Sequence, residues 1–148
     1  LQLIQNGNLM NKTGLLLDTH ILLWLANGDH NLHKQQQSLI NDAAKEWRLY
    51  ISAISAWEIA MLDAKQRIIL SKTCVKWIQE SIEKIGIQLI PLSLEISVES
   101  CQLPGTFHDD PVDRIIVASA RIHNLALMTH DDRILHYSNQ DYVQTIKT

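Results

Sequence analysis

A chain of 148 residues, 46% of them hydrophobic, is long enough to enclose one sizeable core and short for two. Its 13 Lys and Arg against 16 Asp and Glu leave a net charge of −3, which excludes broad, sequence-independent coating of nucleic acid but allows a local basic groove. No run of 18 apolar residues occurs, so no membrane-spanning helix is expected.

Residues 1–13 are polar and Asn-rich, with neither the basic nor the apolar region of a signal peptide. They are expected to form a flexible extension before a single domain over residues 14–148. Cys74 and Cys101 show no CxxC spacing and read as buried free thiols, which suits a reducing cytoplasm.

Along the chain, residues 14–18 (GLLLD) are an apolar run ending in an acid, the pattern of a buried strand. Residues 21–26 read as a short apolar helix closed by Asn27 and Gly28, and 32–46 as a polar helix with a Gln-rich face. A second strand is expected at 48–52 and a strongly apolar helix at 53–64. Residues 73–85 carry Val75, Ile78, Ile82 and Ile85 near helical spacing and stop at Gly86. A third strand at 87–90 ends at Pro91, and a helix at 93–101 leads into a loop. A helix at 112–123 follows, with Val112, Ile115, Ile116 and Ala120 on one face, then a fourth strand at 125–129 and a fifth at 142–146. Strands alternating with helices predict one α/β domain, a parallel sheet of four to five strands covered by helices on both faces.

Ligands of such sheets bind beyond the carboxyl ends of the strands. Asp18 ends the first strand, and Asp131 follows the fourth by two residues. Asp113 lies in the first turn of a helix that starts at the same edge, behind Asp110 and Pro111, an N-cap and N1 pair. Glu58 is about 9 Å along the helix that leaves the second strand, within reach of the edge. In that helix Ser52, Ser55 and Glu58 form one narrow polar stripe, so Glu58 needs a cation, a proton or a partner such as Lys65, Arg67 or Arg114. Capping also accounts for Asp110, and helix-dipole placement offers a structural role for Asp113, Asp131 and Asp132. Thr129 is read as the N-cap of a short last helix.

Two carboxylates about 4 Å apart repel by about 4 kcal/mol at an effective dielectric of about 20, and several would compound this. A divalent ion reverses the sign. Hard oxygen donors with no thiolate or HExxH set point to Mg2+ or Mn2+ rather than zinc. Trp24 and Trp57 sit in apolar runs and read as core. Lys65, Arg67, Lys72 and Lys76 form a loose basic run that a solvated face explains equally well.

Four blocks, LLLDTHILLW at 15–24, SAISAWEIA at 52–60, HDDPVDRIIVASA at 108–120 and LMTHD at 127–131, together resemble the PIN-domain family, most closely its VapC-type toxins of bacterial toxin–antitoxin pairs. Val112 stands where that branch usually has an aromatic residue, and Asp109 where a basic one is commoner. The resemblance implies a PIN-like nuclease domain and a toxic endoribonuclease dependent on Mg2+ or Mn2+. It also implies a homodimer and neutralisation by a cognate antitoxin. It carries over Asp18, Glu58, Asp113 and Asp131 as catalytic metal ligands and Asp110 as an additional acid. Thr129 and Arg114 are expected near the substrate. In-line attack by water would leave a 5′-phosphate and a 3′-hydroxyl.

Two other readings compete. A phosphatase-type hydrolase with an Asp nucleophile would need a second acid two residues after Asp18, where His20 stands. A PIN-like binding module without turnover would keep the fold and, under EDTA, show no nuclease activity to lose.

Overall fold

The computed structural model describes residues 13–148, so the expected flexible extension lies outside the described residues apart from Thr13. The elements run β1 (Leu15–Leu17), α1 (Thr19–Asn27), α2 (Lys34–Lys45), β2 (Leu49–Ser52), α3 (Ala53–Ala64), α4 (Cys74–Ile85), β3 (Gln88–Ile90), α5 (Leu94–Cys101), α6 (Pro111–Ile122), β4 (Ala126–Thr129), α7 (Asp132–Ser138) and β5 (Gln144–Lys147). The expected order is the observed one, with ends displaced by one or two residues. The capping residues account for several of these ends. Ser52, Ser93 and Asp110 bond the first turns of α3, α5 and α6, while Gly28 and Gly86 close α1 and α4 at φ of 63° and 84°, where a side chain would be strained.

All pairings are parallel, and the strand order is β3-β2-β1-β4-β5. β1 is central: Leu16 faces Tyr50 on one side and Leu127 on the other. Because strand side chains alternate, Leu15 and Leu17 enter one core and Leu16 the other. The first core is closed by Ile21 and Leu22 of α1, Ile40 of α2, Ile59 of α3 and Trp77 of α4. The second is closed by Ile96 of α5, Ile116 and Val117 of α6, and Ile134 and Tyr137 of α7.

This division follows from chain direction. From β1 to β3 the chain steps outward one way, and right-handed crossovers keep the helices on one face. From β3 it returns past β1 to β4 and on to β5, and the same handedness puts the later helices on the opposite face. No helix among the described residues is long and apolar enough to cross a membrane.

Several side chains depart from expectation. Trp57, expected in the core, is 55% exposed, because α3 directs Ile59 and Ser55 inward and leaves Trp57 on the outer side. Cys74 is half-buried and Cys101 exposed, and both are free thiols. Asp131, not Thr129, caps the last helix.

Candidate active site

β1 and β4 are neighbours in the sheet but far apart in the chain, and their connections leave in opposite directions. A crevice opens beyond the carboxyl ends of two such strands. Asp18 directly follows β1, and its backbone N–H donates to the Met128 carbonyl at 3.0 Å, which ties the two strand ends together. The carboxylate caps α1: Oδ1 accepts from the Thr19 N–H at 2.8 Å. Oδ2 accepts from the Thr129 hydroxyl at 2.7 Å. Burial raises the Asp18 pKa above the ordinary carboxylate value, against the pull of the Thr129 and Thr19 hydrogen bonds.

Thr129 ends β4, fully buried. While its hydroxyl donates to Asp18, its oxygen accepts from the Asp131 N–H at 3.0 Å. One side chain thus sets the spacing of two acids. Asp131 in turn caps α7, its Oδ1 accepting from the Arg133 and Ile134 N–H groups at 2.8 and 3.2 Å. Burial alone would raise the Asp131 carboxyl, but the hydrogen bonds from Arg133 and Ile134 outweigh it and hold its pKa below the usual value.

Asp110 caps α6 as expected, with Oδ1 accepting from the Val112 and Asp113 N–H groups and Pro111 in the first turn. This turns Asp113 toward Asp131. Asp113 Oδ2 lies 3.1 Å from His108 Nε2 and 3.4 Å from Arg133 Nη2, with the side chain only 13% exposed. Burial, then the charges of Asp110, Asp18 and Asp131, push its pKa up to about 7, even with Arg133 pulling the other way.

On α3 the polar stripe is divided. Ser52 caps the helix, Ser55 accepts from the Thr19 hydroxyl at 2.8 Å, and Glu58 lines the cleft. Among the described residues no ion pair involves Glu58, so the alternatives with Lys65, Arg67 and Arg114 do not form. Burial raises its pKa, the Thr19 hydroxyl lowers it, and the nearby Asp18 charge raises it again.

Arg114 serves the scaffold: its guanidinium donates to the carbonyls of Ser100, Phe107 and His108 at 2.7 to 3.1 Å and holds the loop that carries His108. Tyr137 donates to the Pro104 carbonyl at 2.6 Å and pins the same loop. Lys72 of the basic run pairs with Glu80, away from the cleft.

The resulting cleft, about 470 Å³, is lined by Asp18, Glu58, Asp110, Asp113, Asp131 and Asp132, with His20, Trp24, His130 and Arg133 around them. Sequence reasoning missed His20, His108, His130 and Arg133. The His108 clue was its place two residues before Asp110, in a loop whose course no periodicity describes. Trp24, expected in the core, is half-buried and stands edge-on to His130 with ring centroids 5.2 Å apart.

The donor set suits a hard cation. Ligand atoms of His108, Asp113 and Asp131 lie within 4.8 Å of one another. His108 Nε2 faces Asp113 Oδ2 at 3.1 Å. Its Nδ1 accepts from the Asp110 N–H at 3.3 Å, which leaves the proton of a neutral ring on Nε2, facing Asp113. Burial lowers the His108 pKa and favours that neutral ring, although the contact is close without being aligned as a hydrogen bond. The other groups that could hold a cation are carboxylates, crowded enough to raise the Asp113 pKa to about 7.

Comparison with known proteins agrees with this geometry. The chain is 30% identical over 122 residues to Ribonuclease VapC22 of Mycobacterium tuberculosis, covering 82% of this chain and 90% of that protein. It superposes with a TM-score of 0.67 on the DNA-bound VapBC structure from Salmonella typhimurium, at 15% identity over 91% of this chain and 98% of that one. A toxin–antitoxin complex from Klebsiella pneumoniae is similar at a TM-score of 0.52 and 26% identity, covering 80% of this chain and 87% of the other. The family model of the PIN domain matches residues 15–139, from the first residue of the central strand to just past the last helix. The chain belongs to the PIN domain family.

Proposed function

We propose that this chain is a toxic endoribonuclease, that residues 14–148 are its nuclease domain, and that Mg2+ or Mn2+ serves it. One observation carries the reading: six acids from four separated segments line a single cleft at the switch point of the sheet, in a chain 30% identical to a ribonuclease. Asp18, Glu58, Asp113 and Asp131 would hold the cation, with Asp110 completing the set. Once bound, such a dication supplies Lewis acidity to water and to the scissile phosphate.

The chain's own residues do the positioning. Thr129 and Thr19 hold both Asp18 oxygens, which fixes that carboxylate in orientation and opposes the upward pull of burial on its pKa. Asp113, whose pKa is raised to about 7, would have to be ionised to hold the cation. Water adds to phosphorus, the bond to the 3′-oxygen breaks, and a 5′-phosphate and a 3′-hydroxyl result.

The named relatives include complexes with antitoxins, which supports a cognate antitoxin as partner and, with it, a cytoplasmic site of action. Exposed Leu94 and Val98, one turn apart on α5, and Trp57 on α3 give apolar surface for an antitoxin or for a homodimer.

The test is cleavage of single-stranded RNA with Mg2+, with Mn2+ and with EDTA. Activity with either ion, abolished by EDTA, is expected. Asp18→Asn should lower cleavage by more than about a hundredfold while leaving the circular dichroism spectrum unchanged. Cleavage by D18N at the wild-type rate would remove the acid cleft from the chemistry. A well-folded wild type that binds RNA without cutting it under any ion would favour the binding-module reading.

A further inference from the structure

We infer that Arg133 is a substrate-binding arginine whose guanidinium is shared between two carboxylates of the cleft and the RNA phosphate, and that a dication releases it from the first to the second. The inference rests on the nuclease reading above and names a residue that reading leaves without a role.

Arg133 lies in the first turn of α7. Its backbone N–H is fixed by the Asp131 cap at 2.8 Å, while its side chain is 58% exposed at the mouth of the cleft. Nη2 lies 3.3 Å from Asp131 Oδ2 and 3.4 Å from Asp113 Oδ2. The anchor is rigid and the arm is solvated, the combination a side chain needs to exchange partners without moving the helix.

The two partners belong to different helices and are among the residues that would hold a dication. A guanidinium and a metal ion are both cations drawn to Asp131 Oδ2 and Asp113 Oδ2, so each weakens the hold of the other on those oxygens. A metal held by these acids therefore loosens Arg133, and Arg133 in place weakens the metal.

The displaced guanidinium has one obvious destination. Among the described residues lining the cleft, Arg133 is the one Arg or Lys; the others are acids, histidines and a tryptophan. Arg114, the nearest alternative by sequence, is occupied by three backbone carbonyls. A polyanion entering an acid-lined cleft needs a cation at the entrance, and guanidinium matches phosphate through paired N–H donors.

The experiment compares wild type, Arg133→Gln and Arg133→Lys. Mn2+ binding is measured by calorimetry without RNA, and cleavage of single-stranded RNA is measured at saturating Mn2+. R133Q should bind Mn2+ about threefold to tenfold more tightly, the competing cation having gone. The same variant should lose about tenfold in kcat/KM, mainly through KM. R133K should keep Mn2+ affinity near wild type and regain only part of the KM. A merely structural role would weaken both.

Unchanged or weaker Mn2+ binding by R133Q overturns the competition. Tighter Mn2+ binding with a wild-type KM overturns the substrate role. A wild type that binds Mn2+ but cuts no RNA sinks the nuclease reading instead, while calorimetry still decides whether Arg133 competes for the acids.

Discussion

Asp113 and Asp131 differ in protonation although both end up beside Arg133. Asp131 caps a helix and accepts two backbone N–H groups, which stabilise its charge; Asp113 has given its helix-start duty to Asp110 and faces three other acids. A carboxyl whose pKa is about 7 when folded, against an ordinary 3.8, binds its proton more tightly in the folded state. The stability it contributes is full below the lower value and is lost as pH rises through the upper one. In EDTA, urea unfolding should therefore show a component of stability that falls between about pH 4 and pH 7, and Asp113→Asn should lack it. An identical pH slope in D113N would refute this account of the crowding. The acids themselves were legible in the sequence, since a strand-end Asp and a lone Glu in an apolar helix are conspicuous. Arg133 and His108 were not, because an exposed arginine in a first helical turn and a histidine in a loop have many uses, and only proximity to Asp113 selects one.

At the scale of elements, Thr129 joins what the chain separates by 111 positions: its hydroxyl bonds Asp18 at the end of β1 and receives the N–H that leads into α7. Thr129→Val keeps the shape and the strand preference but leaves Asp18 Oδ2 without its donor and the Asp131 N–H without its acceptor. A loss of about 1 to 3 kcal/mol is expected in denaturant unfolding, together with a loss of about tenfold to a hundredfold in Mn2+ affinity. Wild-type affinity in T129V would mean that the two acids keep their spacing without the tie. The helix starts at Ser52, Ser93 and Asp110 were readable from cap chemistry. The shift of the last cap from Thr129 to Asp131 was not, because both residues satisfy the local rule and the helix starts one residue after Asp131, whose Oδ1 takes the Arg133 and Ile134 N–H groups.

The whole molecule depends on β1, whose three leucines are divided between two cores. Leu16 is fully buried, and the sheet flanks it on both sides, so the gap left by Leu16→Ala cannot easily collapse. The substitution should cost about 3 to 5 kcal/mol in equilibrium unfolding. A loss below about 1 kcal/mol would show that the second core is looser than its packing implies.

Alternating apolar runs and amphipathic segments determined the α/β class, the order of elements and the presence of several acids near one sheet edge, because periodicity and capping are written within a few residues. Tertiary structure alone decided that β4 lies against β1, that Thr129 spans them, that Trp57 faces outward and that Arg133 bridges two acids. Those are contacts between segments remote in the chain, and they form only when two cores on opposite faces of the sheet are packed together.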